Sequence, residues 1–411
     1  MIDIRAARQD PASVRAALAR KGAAELFDEL LTVDERWREQ TAIADELRAR
    51  TKLKGRPTDE ERRALLATKE ELRLVEERLE ALAAERDALL ARVPNPPSAS
   101  APDGVSDEDA VEVRRVGEPP SFGFEPRDHL ALGDFDQERG ARLSGTRFAY
   151  RMGDSALVEL SLYRYALDSL LPLGFVPVLP PVLVREEAMY GTGFLPTEEA
   201  NLYQVSPDGL YLTGTSEVAL AGLHLGEILE AESLPLRYAG YSTCFRREAG
   251  AAGRDTRGIF RVHQFDKVEM FVFTTPEDSE ETHEMILAAE EAIVSGLGLA
   301  YRVVNTAAGD LGPSAAKKYD IEAWMPSQGR YREITSCSNT TDYQARRLGT
   351  RMREGDQLRH PHTLNGTAMT ARFLVAILES FQDEQGAVAV PEVLHAFGAP
   401  PRLEHTAASV S

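Results

Sequence analysis

The 411-residue sequence has only two cysteines, Cys244 and Cys337. Two thiols are too few for a disulfide scaffold or for a zinc site built from several thiolates. No apolar run approaches the roughly 18 uninterrupted residues of a membrane-spanning helix, and the first ten residues are charged rather than signal-like. These absences predict a cytoplasmic protein without membrane contact, with both cysteines as buried thiols and no zinc.

Known phosphate-binding fingerprints are also missing, since neither a Walker loop nor a glycine-rich dinucleotide motif occurs. Acidic residues outnumber basic ones by 66 to 47, so the formal net charge is −19. Affinity for nucleic-acid phosphates comes largely from cations, so any RNA contact must be local.

A local basic cluster does occur between residues 48 and 56, with five cations and no acid. It lies at the predicted tip of a helical hairpin, where it would be accessible to RNA. The candidate RNA-binding residues are Arg48, Arg50, Lys52, Lys54 and Arg56.

Hydrophobic spacing predicts the hairpin itself. Apolar residues recur at helical intervals from Leu26 to Lys52, and Gly55 and Pro57 end that helix. Thr58 and Glu61 form a capping-box signature, and a second helix follows with apolar residues alternately three and four apart. The pattern favours an antiparallel two-helix coiled coil of roughly 40 Å. An internal bundle or a dimerisation pair would produce the same pattern.

Dense proline between Pro94 and Pro102 forbids regular helix or sheet and separates the hairpin from the rest of the chain. We therefore expect three segments: a coiled-coil domain at 1–98, a linker at 99–130 and a larger domain at 131–411.

The most informative stretch runs from Cys244 to Phe273. A glycine-rich loop separates two apolar segments, and the second is predicted as a strand from Ile259 to Phe273. Side chains two apart share a strand face, which brings together Arg246, Glu248, Phe265, Lys267 and Glu269. Arginine can bridge anions, glutamate can accept from an amine, and phenylalanine can stack on adenine. The pattern indicates a nucleotide-handling surface rather than an ordinary charged hairpin.

The wording of this stretch (FRREAG, GRDTRG, HQFDKVEMF) resembles motif 2 of class II aminoacyl-tRNA synthetases, and seryl-tRNA synthetases in particular. The resemblance implies an α+β fold, in which an N-terminal antiparallel coiled-coil arm precedes an antiparallel-sheet catalytic domain flanked by helices. It implies ATP-dependent activation of L-serine and transfer to tRNA(Ser), with tRNA(Sec) as a second candidate acceptor. The arm would bind the tRNA.

A helix from Ser155 to Leu171 and a proline-interrupted strand after Gly174 follow the order of motif 1 in that family. Proline cannot serve a central strand, so this strand is predicted at a sheet edge or an interface. Pro181 stands where the family carries its dimer element. The resemblance therefore implies a homodimer.

Three further segments supply polar side chains. Thr215 or Ser216 is expected to cap a helix that continues to Leu229, and in the family a Thr-x-Glu loop here, matched by Thr215 and Glu217, closes over serine. The strand from Tyr331 to Asn339 carries Glu333 and Ser336, which suit Mg²⁺ alongside phosphates, although a simple salt bridge at a strand edge would look the same.

A glycine-centred turn at 365–367 is predicted to precede an amphipathic helix with Arg372 in its first turns. A cation at a helix N-terminus suggests a nearby anion as its partner. The segment resembles motif 3, where Arg372 would lie over the nucleotide opposite Phe265. Thr367 replaces the more usual serine and keeps the hydroxyl.

The resemblance thus implies a role for each residue. The catalytic residues are Arg246 and Arg372. Serine is bound by Thr215, Glu217, Arg246, Glu269, Asn365 and Thr367. ATP is bound by Arg246, Glu248, Phe265, Glu333, Ser336 and Arg372, with Mg²⁺ held by Glu333 and Ser336.

Two other functions share some of these features. One is an amino-acid activator for a carrier protein, built on the same catalytic fold without a tRNA step. Relatives of that kind lack the arm and use a cysteine-containing zinc site, the reverse of this chain. The other is an RNA-binding protein with a degenerate catalytic domain, which the complete set of competent polar residues opposes.

Overall fold

The computed structural model describes residues 1–52, 58–250, 255 and 257–404. Lys54 and Arg56 of the predicted basic cluster lie outside these residues. The chain forms two compact units, Met1–Pro96 and Pro97–Ser411.

The first unit is helical, with α1 (Ile4–Gln9), α2 (Pro11–Ala19), α3 (Ala24–Thr51) and α4 (Asp59–Arg92). Helices α3 and α4 form the predicted arm. The capping box is present, since the Thr58 hydroxyl accepts from the Glu61 amide at 3.2 Å and the Glu61 carboxylate accepts from the Thr58 amide at 2.7 Å.

The arm is closed by two apolar clusters. The cluster at the base of the arm includes Phe27, Leu30, Val33, Leu82 and Leu89. The other, nearer the tip, contains Ala44, Leu47 and Val75. Burial of these side chains at roughly 25 cal/mol per Å² holds the helices together, which is what the alternating spacing predicted.

The strands of the second unit are β1 (Val111–Val116), β2 (Phe135–Asp136), β3 (Tyr150–Arg151), β4 (Val176–Val178), β5 (Leu183–Arg185), β6 (Tyr203–Val205), β7 (Leu210–Leu212), β8 (Ile228–Glu230), β9 (Leu236–Phe245), β10 (Gln264–Thr274), β11 (Tyr301–Asn305), β12 (Lys317–Met325), β13 (Arg330–Asn339), β14 (Arg351–Glu354), β15 (Gln357–Arg359), β16 (His362–Thr370), β17 (Val388–Ala389) and β18 (Arg402–Leu403). Its helices are α5 (His129–Leu132), α6 (Gln137–Ser144), α7 (Gly153–Leu170), α8 (Glu186–Thr192), α9 (Glu217–Ala221), α10 (Ser279–Gly296), α11 (Tyr343–Leu348) and α12 (Ala371–Ser380).

Eight strands form the main sheet in the order β1-β11-β12-β13-β16-β10-β9-β4. Neighbouring strands in this sheet are antiparallel, except that β4 pairs in parallel with β9 at the edge. The proline-containing strand therefore occupies an edge, as Pro177 requires. The predicted fold, an antiparallel catalytic sheet flanked by helices after a coiled-coil arm, is confirmed.

The two faces of the sheet differ in character. Along β10, Val268, Met270 and Val272 enter the core that α7, α10 and α12 also fill. The alternate residues Phe265, Lys267 and Glu269 line a cavity on the opposite face. The period of two that predicted this shared face therefore holds in the structure.

Three local predictions were wrong. The helix expected to reach Leu229 ends at Ala221, because Gly222 and a left-handed Gly226 follow and residues 228–230 form β8. The strand expected from Ile259 begins only at Gln264, since Ile259 and the residues after it are buried in the core outside the ladder. The third error concerns residues 365–367.

No turn forms at residues 365–367, which lie in the middle of β16. Gly366 is needed there for close packing, because a Cβ at this position would lie 2.4 Å from Ile286 Cγ2 of α10. The glycine therefore reports a close approach of helix and strand, a role that sequence cannot distinguish from a turn.

Candidate active site

A cavity of about 460 Å³ opens on the polar face of the main sheet. All eleven residues predicted to bind serine, ATP or Mg²⁺ line it: Thr215, Glu217, Arg246, Glu248, Phe265, Glu269, Glu333, Ser336, Asn365, Thr367 and Arg372. The described residues of the predicted basic cluster, Arg48, Arg50 and Lys52, belong to the other compact unit.

Two β-bulges direct side chains of β13 and β16 into the cavity. Glu333 and Ser336 are three residues apart and would point to opposite faces of a regular strand. Ile334 is an extra residue opposite β12, because Thr335 pairs with Ile321 and Glu333 with Glu322. The bulge turns Glu333 onto the cavity face. A second bulge at Ala368 does the same for Thr370 of β16 relative to Thr367.

One end of the cavity combines arginines with aromatic rings. The Arg246 guanidinium lies 5.3 Å from the centre of the Phe265 ring, and its Nε donates to the Gly214 carbonyl at 3.1 Å. The Arg372 guanidinium lies 4.8 Å from the centre of the Phe260 ring. A planar base and its phosphates find stacking surfaces and cations at this end.

The anion expected near Arg372 is Glu333, whose carboxylate accepts from Arg372 at 3.2 Å and whose carbonyl accepts at 3.0 Å. Burial disfavours the ionised form of Glu333. The positive charges of Arg372, Lys318, Arg246 and Arg261 oppose that effect and lower the pKa of Glu333 to about 2. A surplus of cations around one carboxylate suits a polyphosphate.

Several cavity residues were not singled out from the sequence. Arg261 binds Glu248 at 2.7 Å, and Lys318 binds Asp320 at 2.9 Å. Phe260 lies beneath both Arg372 and Arg332. The sequence did offer a signal for Arg261, because it is one of the basic residues that follow the glycine-rich loop ending at Gly258. No local pattern distinguishes Lys318 from other strand lysines.

The other end of the cavity is acidic and buried. Glu269 is 2% exposed; one of its oxygens lies 2.7 Å from Lys267 Nζ and accepts from the Thr367 hydroxyl at 3.1 Å. Glu217 accepts from Gln344 at 2.7 Å and from Asn365 at 3.0 Å. Two carboxylates with fixed amide and hydroxyl partners form a small site for an ammonium group and a hydroxyl.

Burial, and after it the negative charge of Glu269, raises the pKa of Glu217 to about 7. The carboxyl is therefore charged above this pH and neutral below it. If the charged form binds the ammonium group of the amino acid, affinity falls as the pH drops through 7. Between pH 8 and pH 6 the ionised fraction falls about tenfold, so the KM for the amino acid should rise about tenfold.

The KM for ATP should stay nearly constant over this range, and Glu217→Gln should remove the pH dependence while raising the KM for the amino acid at pH 8. Steady-state kinetics at fixed ionic strength measure both quantities. A KM for the amino acid that does not change between pH 6 and pH 8 would contradict the assignment of Glu217.

Glu333 and Ser336 supply hard oxygen donors on one strand face, which fits Mg²⁺ completed by phosphate oxygens and water. In the described ranges, no group of three or more His, Cys, Asp or Glu side chains is placed to hold a metal ion by itself. Helices long and apolar enough to cross a bilayer are likewise absent from the described part of the chain.

Comparison with known proteins agrees with this geometry. Residues 203–381 match the family described as the tRNA synthetase class II core domain (G, H, P, S and T). Together with the antiparallel sheet and its polar cavity, this match makes the chain a class II aminoacyl-tRNA synthetase.

Residues 1–97 match the seryl-tRNA synthetase N-terminal domain. The chain is 51% identical to the serine–tRNA ligase of Thermobifida fusca and 48% identical to that of Streptomyces coelicolor, with 97% of each chain covered in both cases. The chain belongs to the seryl-tRNA synthetase family, as its motif wording predicted.

Two solved structures share the whole architecture. Seryl-tRNA synthetase from Pyrococcus horikoshii complexed with ATP matches with a TM-score of 0.93 at 40% identity, covering 98% of this chain and 99% of that one. Cytoplasmic serine–tRNA ligase from Naegleria fowleri in complex with AMP matches with a TM-score of 0.87 at 34% identity, covering 96% of each chain.

Proposed function

We propose that this protein activates L-serine with ATP to seryl-adenylate and transfers serine to the 3′ end of tRNA(Ser). The observation that carries the proposal is the polarity of the cavity, with arginines and aromatic rings at one end and two carboxylates with a threonine hydroxyl at the other. Arg246, which lines the cavity beside Phe265, is assigned the contact that bridges the substrate carboxylate and the α-phosphate.

In the first step, a serine carboxylate oxygen attacks the α-phosphorus of ATP; a new P–O bond forms and pyrophosphate leaves. No side-chain nucleophile is required, so catalysis consists of positioning and charge stabilisation. Arg246 holds the carboxylate against the α-phosphate, and Arg372 stabilises the charge that develops on the phosphates. Phe265 stacks on adenine, and Glu248 fixes the nucleotide.

When bound, Mg²⁺ supplies a positive charge that draws electrons toward the departing pyrophosphate. Glu333 and Ser336 are the residues that would hold it. The pairing of Glu333 with Arg372 keeps the carboxylate ionised, which is the form that would bind the metal.

Serine is selected at the acidic end. Glu217 and Glu269 receive the ammonium group and the hydroxyl, with Thr215, Asn365 and Thr367 completing the hydrogen bonds. Alanine would leave these buried polar groups unpaired, which gives strong discrimination. In the second step, the 3′-terminal ribose hydroxyl of tRNA attacks the serine carbonyl carbon, loses its proton and displaces AMP.

Aminoacylation tests the complete proposal and distinguishes it from loading of a carrier protein. Labelled serine, ATP and total tRNA should yield ribonuclease-sensitive label on purified tRNA(Ser), and the same assay with tRNA(Sec) tests the second candidate acceptor. Label that stays in adenylate, or that moves only to a carrier protein, would refute the tRNA step.

We assign tRNA binding to the arm, within the proposed domain at 1–98. The proposed catalytic domain is 131–411, and the proposed linker at 99–130 contributes β1 to its main sheet. Arg50 and Lys52 are exposed beside the tip. Arg48 is paired with Asp45 at 3.0 Å and with Glu76 at 2.9 Å. Because these pairs offset its charge, we expect Arg48 to contribute less to RNA binding than Arg50 or Lys52.

We also propose a two-fold homodimer around β4. Large apolar side chains are exposed on or directly after this edge strand and on α7, the α-helix before it in the chain: Val176 is 54% exposed, Leu179 81% and Leu160 of α7 59%. Exposed apolar groups beside a free strand edge favour pairing with a second copy.

The protein should therefore sediment as a dimer, and the double variant Leu160→Glu, Leu179→Glu should sediment as a monomer, because two charges would be buried in each half of the interface. Leu66→Glu is the matched control, since Leu66 of α4 is 67% exposed and lies in the arm. A wild-type monomer with full charging activity would overturn the dimer.

A further inference from the structure

Asn201 makes two hydrogen bonds to the segment that follows β9. Its backbone carbonyl accepts from the Arg247 amide at 2.9 Å, and its side-chain Oδ1 accepts from the Ala249 amide at 3.1 Å. These amides belong to the residues immediately before and after Glu248. Asn201 and Glu248 both line the cavity. One residue therefore holds the backbone on both sides of a carboxylate that faces the candidate site.

Glu248 has a backbone conformation that needs such support. Its φ is +52°, in the left-handed region, where the Cβ of an L-residue comes close to the following carbonyl oxygen. A residue other than glycine persists in this region when the surrounding structure fixes it. The two hydrogen bonds to Asn201 fix the peptides that flank Glu248. The carboxylate of Glu248 is 11% exposed and lies 2.7 Å from Arg261 Nη1.

Arg246 is held by other contacts, although it is only two residues from Glu248. Its amide donates to the His263 carbonyl at 2.9 Å, and its Nε donates to the Gly214 carbonyl at 3.1 Å. Different parts of the chain therefore position the arginine and the carboxylate. A change in the side chain of Asn201 should disturb Glu248 more than Arg246.

We propose that Asn201 is a positioning residue for ATP binding. It holds Glu248 in the left-handed conformation and so directs the Glu248 carboxylate at the nucleotide. The assignment rests on the proposed function, in which Glu248 fixes the nucleotide. The carboxylates proposed to bind serine belong to other elements, since Glu217 begins α9 and Glu269 lies in β10.

Asn201→Ala tests this role, because it removes the side-chain acceptor and keeps the backbone carbonyl. We expect the KM for ATP in serine-dependent exchange to rise about fivefold, as for the loss of one hydrogen bond, while the KM for serine stays within about twofold of wild type. Asn201→Leu should give the same result, because leucine restores the bulk of the side chain without the acceptor. It also keeps the test decisive if Asn201→Ala does not fold.

Glu199→Ala is the matched control, because Glu199 lies in the same one-turn helix, Glu199–Asn201, and is exposed. Both KM values of this variant should stay within about twofold of wild type.

A double-mutant cycle separates positioning from a general loosening of the loop. Glu248→Ala should itself raise the KM for ATP. If Asn201 acts through the Glu248 carboxylate, Asn201→Ala should change the KM for ATP less than about twofold in the Glu248→Ala background. A merely structural role would give the same fivefold change in both backgrounds.

Equal rises in the KM for ATP and for serine, a KM for ATP that rises in neither or only one of the two Asn201 variants, or an undiminished effect of Asn201→Ala in the Glu248→Ala background would overturn the positioning role. Failure of the proposed function is a different result, in which the wild-type protein itself shows no serine-dependent exchange.

Discussion

Arg246→Ala is expected to lower kcat/KM for serine-dependent ATP–pyrophosphate exchange by about 100- to 1,000-fold, or roughly 3 to 4 kcal/mol of transition-state stabilisation. The Gly214 carbonyl holds the Nε of Arg246, and the guanidinium lies beside Phe265 in the cavity lining. The loss should be in kcat as well as KM, because the proposed contact of this side chain with the α-phosphate forms where charge develops.

Arg247→Ala is the matched control, since Arg247 follows Arg246 in the chain, is exposed, and lies over the Tyr203 ring at 5.6 Å. Its exchange rate should stay within about twofold of wild type. Arg246→Lys should remain well below wild type, because a lysine cannot bridge two anions with a planar fork. Near-native exchange by Arg246→Ala would place the reacting centre elsewhere.

Excising the outer arm is expected to abolish charging of tRNA(Ser) and to leave serine-dependent exchange within about twofold. The excision removes residues 41–78 and joins the helices with a short Gly-Ser turn. It keeps the apolar cluster of Phe27, Leu30, Val33, Leu82 and Leu89 that closes the base of the arm. All eleven cavity residues lie in the other compact unit, so adenylate formation should persist. Charging should fall at least about 100-fold, because the excision removes several phosphate-binding cations at once.

Loss of both activities in a folded excision variant would contradict this division of labour. A finer variant, Arg50→Gln with Lys52→Gln, should flatten the log–log salt dependence of tRNA binding by about one unit for each phosphate that is no longer neutralised. Arg73→Gln is its control, because Arg73 of α4 is already paired with Glu70 at 2.7 Å. An unchanged salt dependence in the double variant would show that these two residues do not contact the RNA phosphates.

The sequence predicted the parts of the fold that local patterns determine. The arm followed from helical spacing and from the Thr58 capping box, and the edge position of β4 followed from its proline. The prediction of a helix that reaches Leu229 was wrong, because the glycines at 222 and 226 end the helix although the apolar residues continue at helical spacing. Gly366 suggested a turn because a glycine required by packing against α10 looks the same in sequence as a glycine required by a turn.

The sequence predicted which residues form the candidate site more fully than it predicted how they are arranged. The motif sequences identified eleven residues that line the cavity, but the bulge at Ile334 that places Glu333 and Ser336 on one face has no sequence signal. Arg261 joins the site through its contact with Glu248, and Lys318 through its contact with Asp320 in the same strand.

ATP–pyrophosphate exchange measured with each standard amino acid in turn, with and without tRNA, tests the central claim most directly. Serine should support exchange without tRNA, and its kcat/KM should exceed those of alanine and threonine by at least about 100-fold. Alanine has no hydroxyl to offer the carboxylates of Glu217 and Glu269, and the extra methyl group of threonine would crowd them. Equal exchange with alanine or threonine, or no exchange with serine, would contradict the assignment.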